Sequence, residues 1–121
     1  MKKLFVYGTL MRGNSNHFLM RNSKYVANCT IDGYKMYELG SFPGIGPAEE
    51  SRVRGELYLV PDEDFEDIRS LEGDGYLYIQ QEVEVNCPGK GNAKAITFVY
   101  NHECKGIYRE STCKGMWRYC S

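Results

Sequence analysis

Apolar positions along this chain fall into short runs and alternations, with one short helical stripe. Lys3 to Tyr7 reads as a buried strand that ends where Gly8-Thr9 imposes a turn. Arg12-Gly13-Asn14-Ser15-Asn16 are turn and cap residue types, and His17 to Met20 fits one or two turns of helix. Tyr25 to Cys29 and Ile31 to Leu39 read as two further strands. The segment Phe42-Pro43-Gly44-Ile45-Gly46-Pro47 predicts a loop, because prolines and glycines at this density do not sit in a central strand. Val53 to Val60 is the most strand-like stretch, with Gly55 marking a bulge or a close backbone approach. Asp62-Glu63-Asp64 then predicts a helix start by capping and by charge, and Phe65, Ile68 and Leu71 recur as an apolar stripe that Gly73 and Gly75 end. Tyr78 to Val85 alternates, placing Ile79, Gln81, Val83 and Val85 on one face. Asn86 to Asn92 is a polar, hairpin-like link, and Ala93 to Tyr100 is a last strand. About six strands with one or two short helices predict an α+β domain or a small mixed β-barrel, with 1–121 as a single domain.

Composition narrows the partners more than the fold. With 15 Lys+Arg against 16 Asp+Glu the formal net charge is −1, so no overall field draws the protein to nucleic acid or an anionic membrane. A small-molecule partner is expected. No apolar run approaches the ~20 residues of a membrane span, and the apolar start ends at Gly8, too early for a secretory signal. A cytoplasmic location is the expectation. The five cysteines are odd in number and scattered, so free thiols are expected, with one late disulfide as the next reading. A zinc site from His102, Cys104, Cys113 and Cys120 ranks last, because no tight C-x2-C pair supports it. Zincin, nucleophile-elbow, Walker A and dinucleotide signatures are all missing from the sequence, and no cofactor or metal is expected.

Two places carry candidate chemistry. Glu72 directly follows the apolar stripe and precedes the Gly73-Asp74-Gly75 turn, a position at the edge of the core. A carboxyl there is partly desolvated, which raises its pKa and suits it to proton transfer. The plain alternative is an exposed glutamate in the last helical turn. The second place is Tyr7-Gly8-Thr9-Leu10, where a buried strand opens and frees backbone N–H groups that can face an anion. Its plain alternative is a strand end. The acids from Asp62 to Asp67 read as a solvated helix face.

The succession Phe5-Val6-Tyr7-Gly8-Thr9-Leu10, Arg12-Gly13, Asn16-His17, Phe42-Pro43, Arg54-Gly55-Glu56-Leu57-Tyr58, Leu71-Glu72-Gly73, Tyr78 and Phe98-Val99-Tyr100 resembles the γ-glutamylcyclotransferase-like family. The likeness is nearest to its γ-glutamylamine cyclotransferase, AIG2-like branch, and covers about residues 4–100. It implies a small mixed β-barrel with flanking helices. It also implies conversion of a γ-glutamyl amide to 5-oxoproline with release of the amine. By the same resemblance Glu72 holds the position of the catalytic acid/base, Tyr7, Gly8, Thr9 and Leu10 form the substrate-binding loop, and Tyr78 lines the pocket.

Such a reaction fits a chain with two histidines, because the substrate's own α-amine is the nucleophile. The N–H groups of Gly8, Thr9 and Leu10 are candidates either for the oxyanion or for the α-carboxylate. His17 is expected to make a structural hydrogen bond. Gln80 stands where the family often has Arg, and the stretch after Tyr100 has no counterpart in the resemblance. Two alternatives keep the fold: a non-catalytic module for a small carboxylate or a protein, and the same cyclisation of a γ-glutamyl amino acid or γ-glutamylated metabolite. Oligomeric state and leaving amine are not set by the sequence.

Overall fold

A computed structural model of the chain describes residues 1–40, 42–103 and 107–110, without the side chain of Arg109. Six strands and one α-helix follow in the order β1 (Lys2–Val6), a 3-10 turn at His17–Met20, β2 (Lys24–Glu38), β3 (Pro43–Val60), α1 (Asp62–Glu72), β4 (Tyr78–Cys87), β5 (Gly91–Tyr100) and β6 (Arg109–Glu110). The sheet runs β3-β1-β5-β4-β2, and β2 also pairs with β3, so five strands close into a barrel with β6 added beside β2. All pairings are antiparallel except β1 with β5, which makes the barrel mixed. The α+β small-barrel expectation is met.

The apolar run Leu4-Phe5-Val6-Tyr7, which begins in strand β1, shows no alternation because both of its faces are covered. Phe5 and Tyr7 join the core cluster that includes Ile31, Val53, Leu57 and Val85, whereas Leu4 and Val6 join a second cluster with Phe65 and Ile68 of α1 and Met20 of the 3-10 turn. Both faces of the strand are therefore covered, the condition under which alternation disappears. Helix α1 supplies the second cover through Phe65 and Ile68, while Leu71, the third member of its stripe, is 44% exposed. Pro61 is the N-cap and makes no side-chain cap bond; Asp62, Glu63 and Asp64 instead occupy the first turn, where the helix dipole favours their charge. Gly73 ends the helix in the left-handed conformation at φ 59°.

Three expectations are corrected. The two strands predicted for residues 25–39 are one strand, β2, with register shifts between Tyr25 and Ala27 and between Asp32 and Tyr34. The predicted 42–47 loop is the beginning of β3, with Pro43 opposite Glu38 and Pro47 opposite Tyr34. Prolines are tolerated here because this half of β3 pairs with β2 alone, β1 joining it only from Glu56 onward. In β4, Val83, Val85 and Cys87 are buried but Ile79 and Gln81 are exposed, so the inward face begins at Val83. Cys104, Cys113 and Cys120 lie outside the described residues; Cys29 and Cys87 are free, buried thiols. Burial, then the neighbouring Cys87, pushes the Cys29 thiol up to about 12.

Gly55 is required where β3 crosses β1. A Cβ there would lie 2.3 Å from the Val6 carbonyl oxygen and 2.6 Å from the Phe5 ring. The first obstacle is backbone and cannot rotate away. Gly55→Ala is expected to lower unfolding stability by about 3 kcal/mol, the upper end for overpacked cores, measurable as a reduced denaturant midpoint at unchanged m-value.

Candidate active site

The end of β1 and the start of β3 approach closely because position 8 has no side chain. A Cβ at Gly8 would sit 2.8 Å from the Pro43 ring. Beyond this contact the chain turns through Gly8-Thr9-Leu10, and its carbonyls are all occupied internally. Gly8 O accepts from Met11 N at 3.0 Å and Asn14 Nδ2 at 2.8 Å, and Thr9 O accepts from Asn16 N at 2.9 Å. Leu10 O lies 2.8 Å from His17 Nδ1, so that nitrogen must be the donor. His17 thus makes the structural hydrogen bond expected of it. The N–H groups of Gly8, Thr9 and Leu10 make no hydrogen bond among the described residues. A loop whose carbonyls are tied back and whose amides are left over is built to meet an acceptor.

What fixes this loop was not foreseen. Glu56 of β3 is only 3% exposed, and its carboxylate accepts from Arg12 N at 3.0 Å, Arg12 Nε at 3.2 Å and Tyr58 Oη at 3.0 Å. Arg12 also places its guanidinium 4.3 Å from the centre of the Tyr25 ring. The loop is therefore pinned at its far end by a buried charge-assisted bond to its backbone. A signal existed: Glu56 shares a strand face with Tyr58 and Val60, both apolar enough to be buried, and a carboxylate on a covered face needs a partner.

All six predicted site residues line one cavity of about 390 Å³. Tyr7, Gly8, Thr9 and Leu10 form one side, Glu72 and Tyr78 another, and Phe42, Pro43, Leu71 and Leu77 stand with them. The two tyrosines do not present free hydroxyl protons: Tyr7 Oη donates to Phe98 O and Tyr78 Oη to Pro43 O, each at 2.7 Å. Tyr78 thereby holds the start of β3 against the cavity.

Glu72 ends α1 and is the single charged side chain among the described lining residues. It has no hydrogen-bond or ion-pair partner among the described residues, and burial raises its pKa to about 7. Asp74, two residues on, is the opposite case. Burial would raise it, but hydrogen bonds from Gln80 and Arg69 outweigh that and hold it below the ordinary carboxylate range. Gln80 Nε2 donates to Asp74 at 2.7 Å and Arg69 Nε at 2.9 Å, so a strand amide and a helix cation hold the same carboxylate. Two carboxyls two residues apart thus sit in divergent environments, one raised by burial and one held down by hydrogen bonds. Among the described residues no cluster of His, Cys, Asp and Glu could hold a metal ion.

The family model for γ-glutamyl cyclotransferase, AIG2-like, matches residues 4–119, so the likeness extends past residue 100, where the motifs stop. The γ-glutamylcyclotransferase family protein YtfP of Escherichia coli K12 is 30% identical over 82 residues, 68% of this chain and 72% of that protein. The γ-L-glutamyl-butirosin B γ-glutamyl cyclotransferase of Niallia circulans is 34% identical over 110 residues, 85% of this chain and 69% of that protein. In structure, the Pyrococcus horikoshii protein PH0828 superposes with a TM-score of 0.79 at 26% identity, covering 97% of this chain and 90% of that one. Sequence order, barrel and cavity thus agree on one assignment, and the chain belongs to the γ-glutamyl cyclotransferase, AIG2-like family.

Proposed function

We propose that this protein converts a γ-glutamyl amide to 5-oxoproline and a free amine, with Glu72 moving the proton. The observation that carries the reading is the Glu72 carboxyl, raised to about 7 and without a partner among the described residues, sharing a cavity with N–H groups of Gly8, Thr9 and Leu10 that are equally unspent among those residues. Ionised Glu72 takes a proton from the substrate α-ammonium, whose nitrogen then attacks the γ-carbonyl carbon. The new C–N bond closes a five-membered ring, and the γ-carbonyl oxygen becomes an oxyanion. On collapse protonated Glu72 returns its proton to the departing nitrogen as the original amide C–N bond breaks, and the carboxylate so freed takes the second proton of the ring nitrogen and passes it to the released amine, which leaves as an ammonium. No water is consumed. A carboxyl near neutrality can serve in both directions, which one of ordinary pKa does poorly. Orientation of the tethered nucleophile supplies up to ~7–11 kcal/mol in favourable systems, so a small site suffices. The loop amides serve either the oxyanion or the α-carboxylate, both of which are acceptors.

Purified protein incubated with γ-glutamyl amides, including γ-glutamyl-ε-lysine and γ-glutamyl-alanine, is expected to release 5-oxoproline, read by mass spectrometry. Binding of these compounds without turnover at any pH from 6 to 9 would instead identify a non-catalytic module. The Niallia circulans relative, whose name gives γ-L-glutamyl-butirosin B as substrate, favours including γ-glutamylated metabolites in the panel.

A further inference from the structure

The mouth of the Glu72 cavity has a composition that its interior does not require. Phe42 is 36% exposed and Leu71 44% exposed, and both line the cavity, with the partly buried Leu77 beside them. Exposed side chains lining a cavity stand at its opening, whereas Phe5, Leu10 and Phe98 are buried within it. The polar residues at the opening, Ser15 and Asn16, carry no charge, and the Asn16 amide already donates to Thr9 Oγ1 at 3.0 Å. Apart from Glu72, no described lining residue can pair with a charge on a ligand.

We infer that the leaving amine is a neutral, hydrocarbon-bodied amine, alkyl or aryl, packed between Phe42, Leu71 and Leu77. The inference rests on the cyclotransferase reading. In that reaction the glutamyl part carries its own ammonium and carboxylate and takes the charged carboxyl and the loop amides. The amine side of the scissile bond is left with the apolar mouth. A carboxylate or second ammonium on that side loses water there without gaining a partner among the described residues, which disfavours it. A methylene gains contact with the Phe42 and Leu71 side chains, which otherwise face solvent.

The test uses the purified full chain and a matched series: γ-glutamyl methylamide, propylamide and pentylamide, then the amides of 5-aminopentanoate and 1,5-diaminopentane as charged counterparts of the pentyl compound. kcat/KM is expected to rise about two- to fourfold per methylene, fourfold being full burial. The pentylamide is expected to exceed both charged amides by about tenfold or more, the scale of an unpaired polar group in an apolar pocket. Leu71→Asn and, separately, Phe42→Ser should narrow the pentyl-to-methyl ratio, a readout that uniform loss of folded protein leaves unchanged. A flat chain-length series, a charged amide equal to the pentylamide, or an unaltered ratio in both variants would overturn the apolar mouth while leaving the cyclotransferase intact. No 5-oxoproline from any compound would overturn the cyclotransferase reading and the inference with it.

Discussion

Glu72→Gln is expected to reduce 5-oxoproline formation by about 10²–10⁴-fold, the range for loss of a general acid–base, while making the folded protein more stable above neutral pH. The two effects have one cause. Burial raises the Glu72 carboxyl to about 7, with no partner among the described residues to offset it, so the folded chain resists its ionisation. Between the ordinary value near 4.5 and about 7, the folded state binds more protons at this site than the unfolded state does. Stability therefore falls as pH rises through that window and is level above it. Gln carries no such charge. At pH 8 the variant should gain about 1–3 kcal/mol, reckoned at about 1.4 kcal/mol per tenfold change in proton affinity and reduced because the group is partly exposed. Below pH 4 the gain should vanish. Denaturant titrations at pH 4 and pH 8, with turnover on any accepted substrate, check both halves. In the wild type, kcat/KM should climb with pH and level off above about 7, because the ionised carboxyl is the base. An active Glu72→Gln protein would sink the mechanism, and an inactive but destabilised one would point to a structural role.

Legibility of this fold tracks how local its causes are. Strands β1 and β5, helix α1 and its Gly73 stop are set by nearby residues: an apolar run, a three-residue stripe, a left-handed glycine. The first half of β3 was hidden because Pro43, Gly44, Gly46 and Pro47 read as a loop, and only the long β2 strand pairing beside it makes it a strand. The same closure unites residues 24–38 into one strand, with bulges that local reading takes for breaks.

Within the site, the spacing from Leu71 to Gly73 places Glu72 at the edge of the core, but it does not choose between a cavity and open solvent. The family resemblance favoured the first, and the α1 terminus does face the cavity. Glu56 shows the converse. Its strand face marks it as buried, but nothing local names its partner, since Arg12 is 44 residues away and the bond depends on β1 and β3 lying side by side. Leu71 continues the spacing of Phe65 and Ile68, yet at the helix end the barrel no longer covers it.

Glu56→Ala is expected to impair stability and turnover together while leaving the cavity lining intact. It removes the acceptor for Arg12 N, Arg12 Nε and Tyr58 Oη together. Breaking a buried pair costs about 3–5 kcal/mol, but the Arg12 side chain is 48% exposed and can recover water, so about 2–3 kcal/mol is expected. The functional loss follows from position. The loop from Gly8 to Arg12 would keep its internal bonds and lose its anchor to β3, and a misplacement of about 1 Å can cost 10²-fold in rate. Glu56→Gln separates pinning from charge, because its amide oxygen still accepts from Arg12 N. It should recover most of the kcat that the alanine variant loses, with a smaller recovery of stability. Arg12→Ala does the reverse: the backbone bond to Glu56 remains, but the buried carboxylate loses its cation. The variant should therefore lose stability while keeping more of its kcat than the alanine variant at position 56. Equal losses of kcat in Glu56→Gln and Glu56→Ala would show that the charge, rather than the pinned loop, is what the site needs.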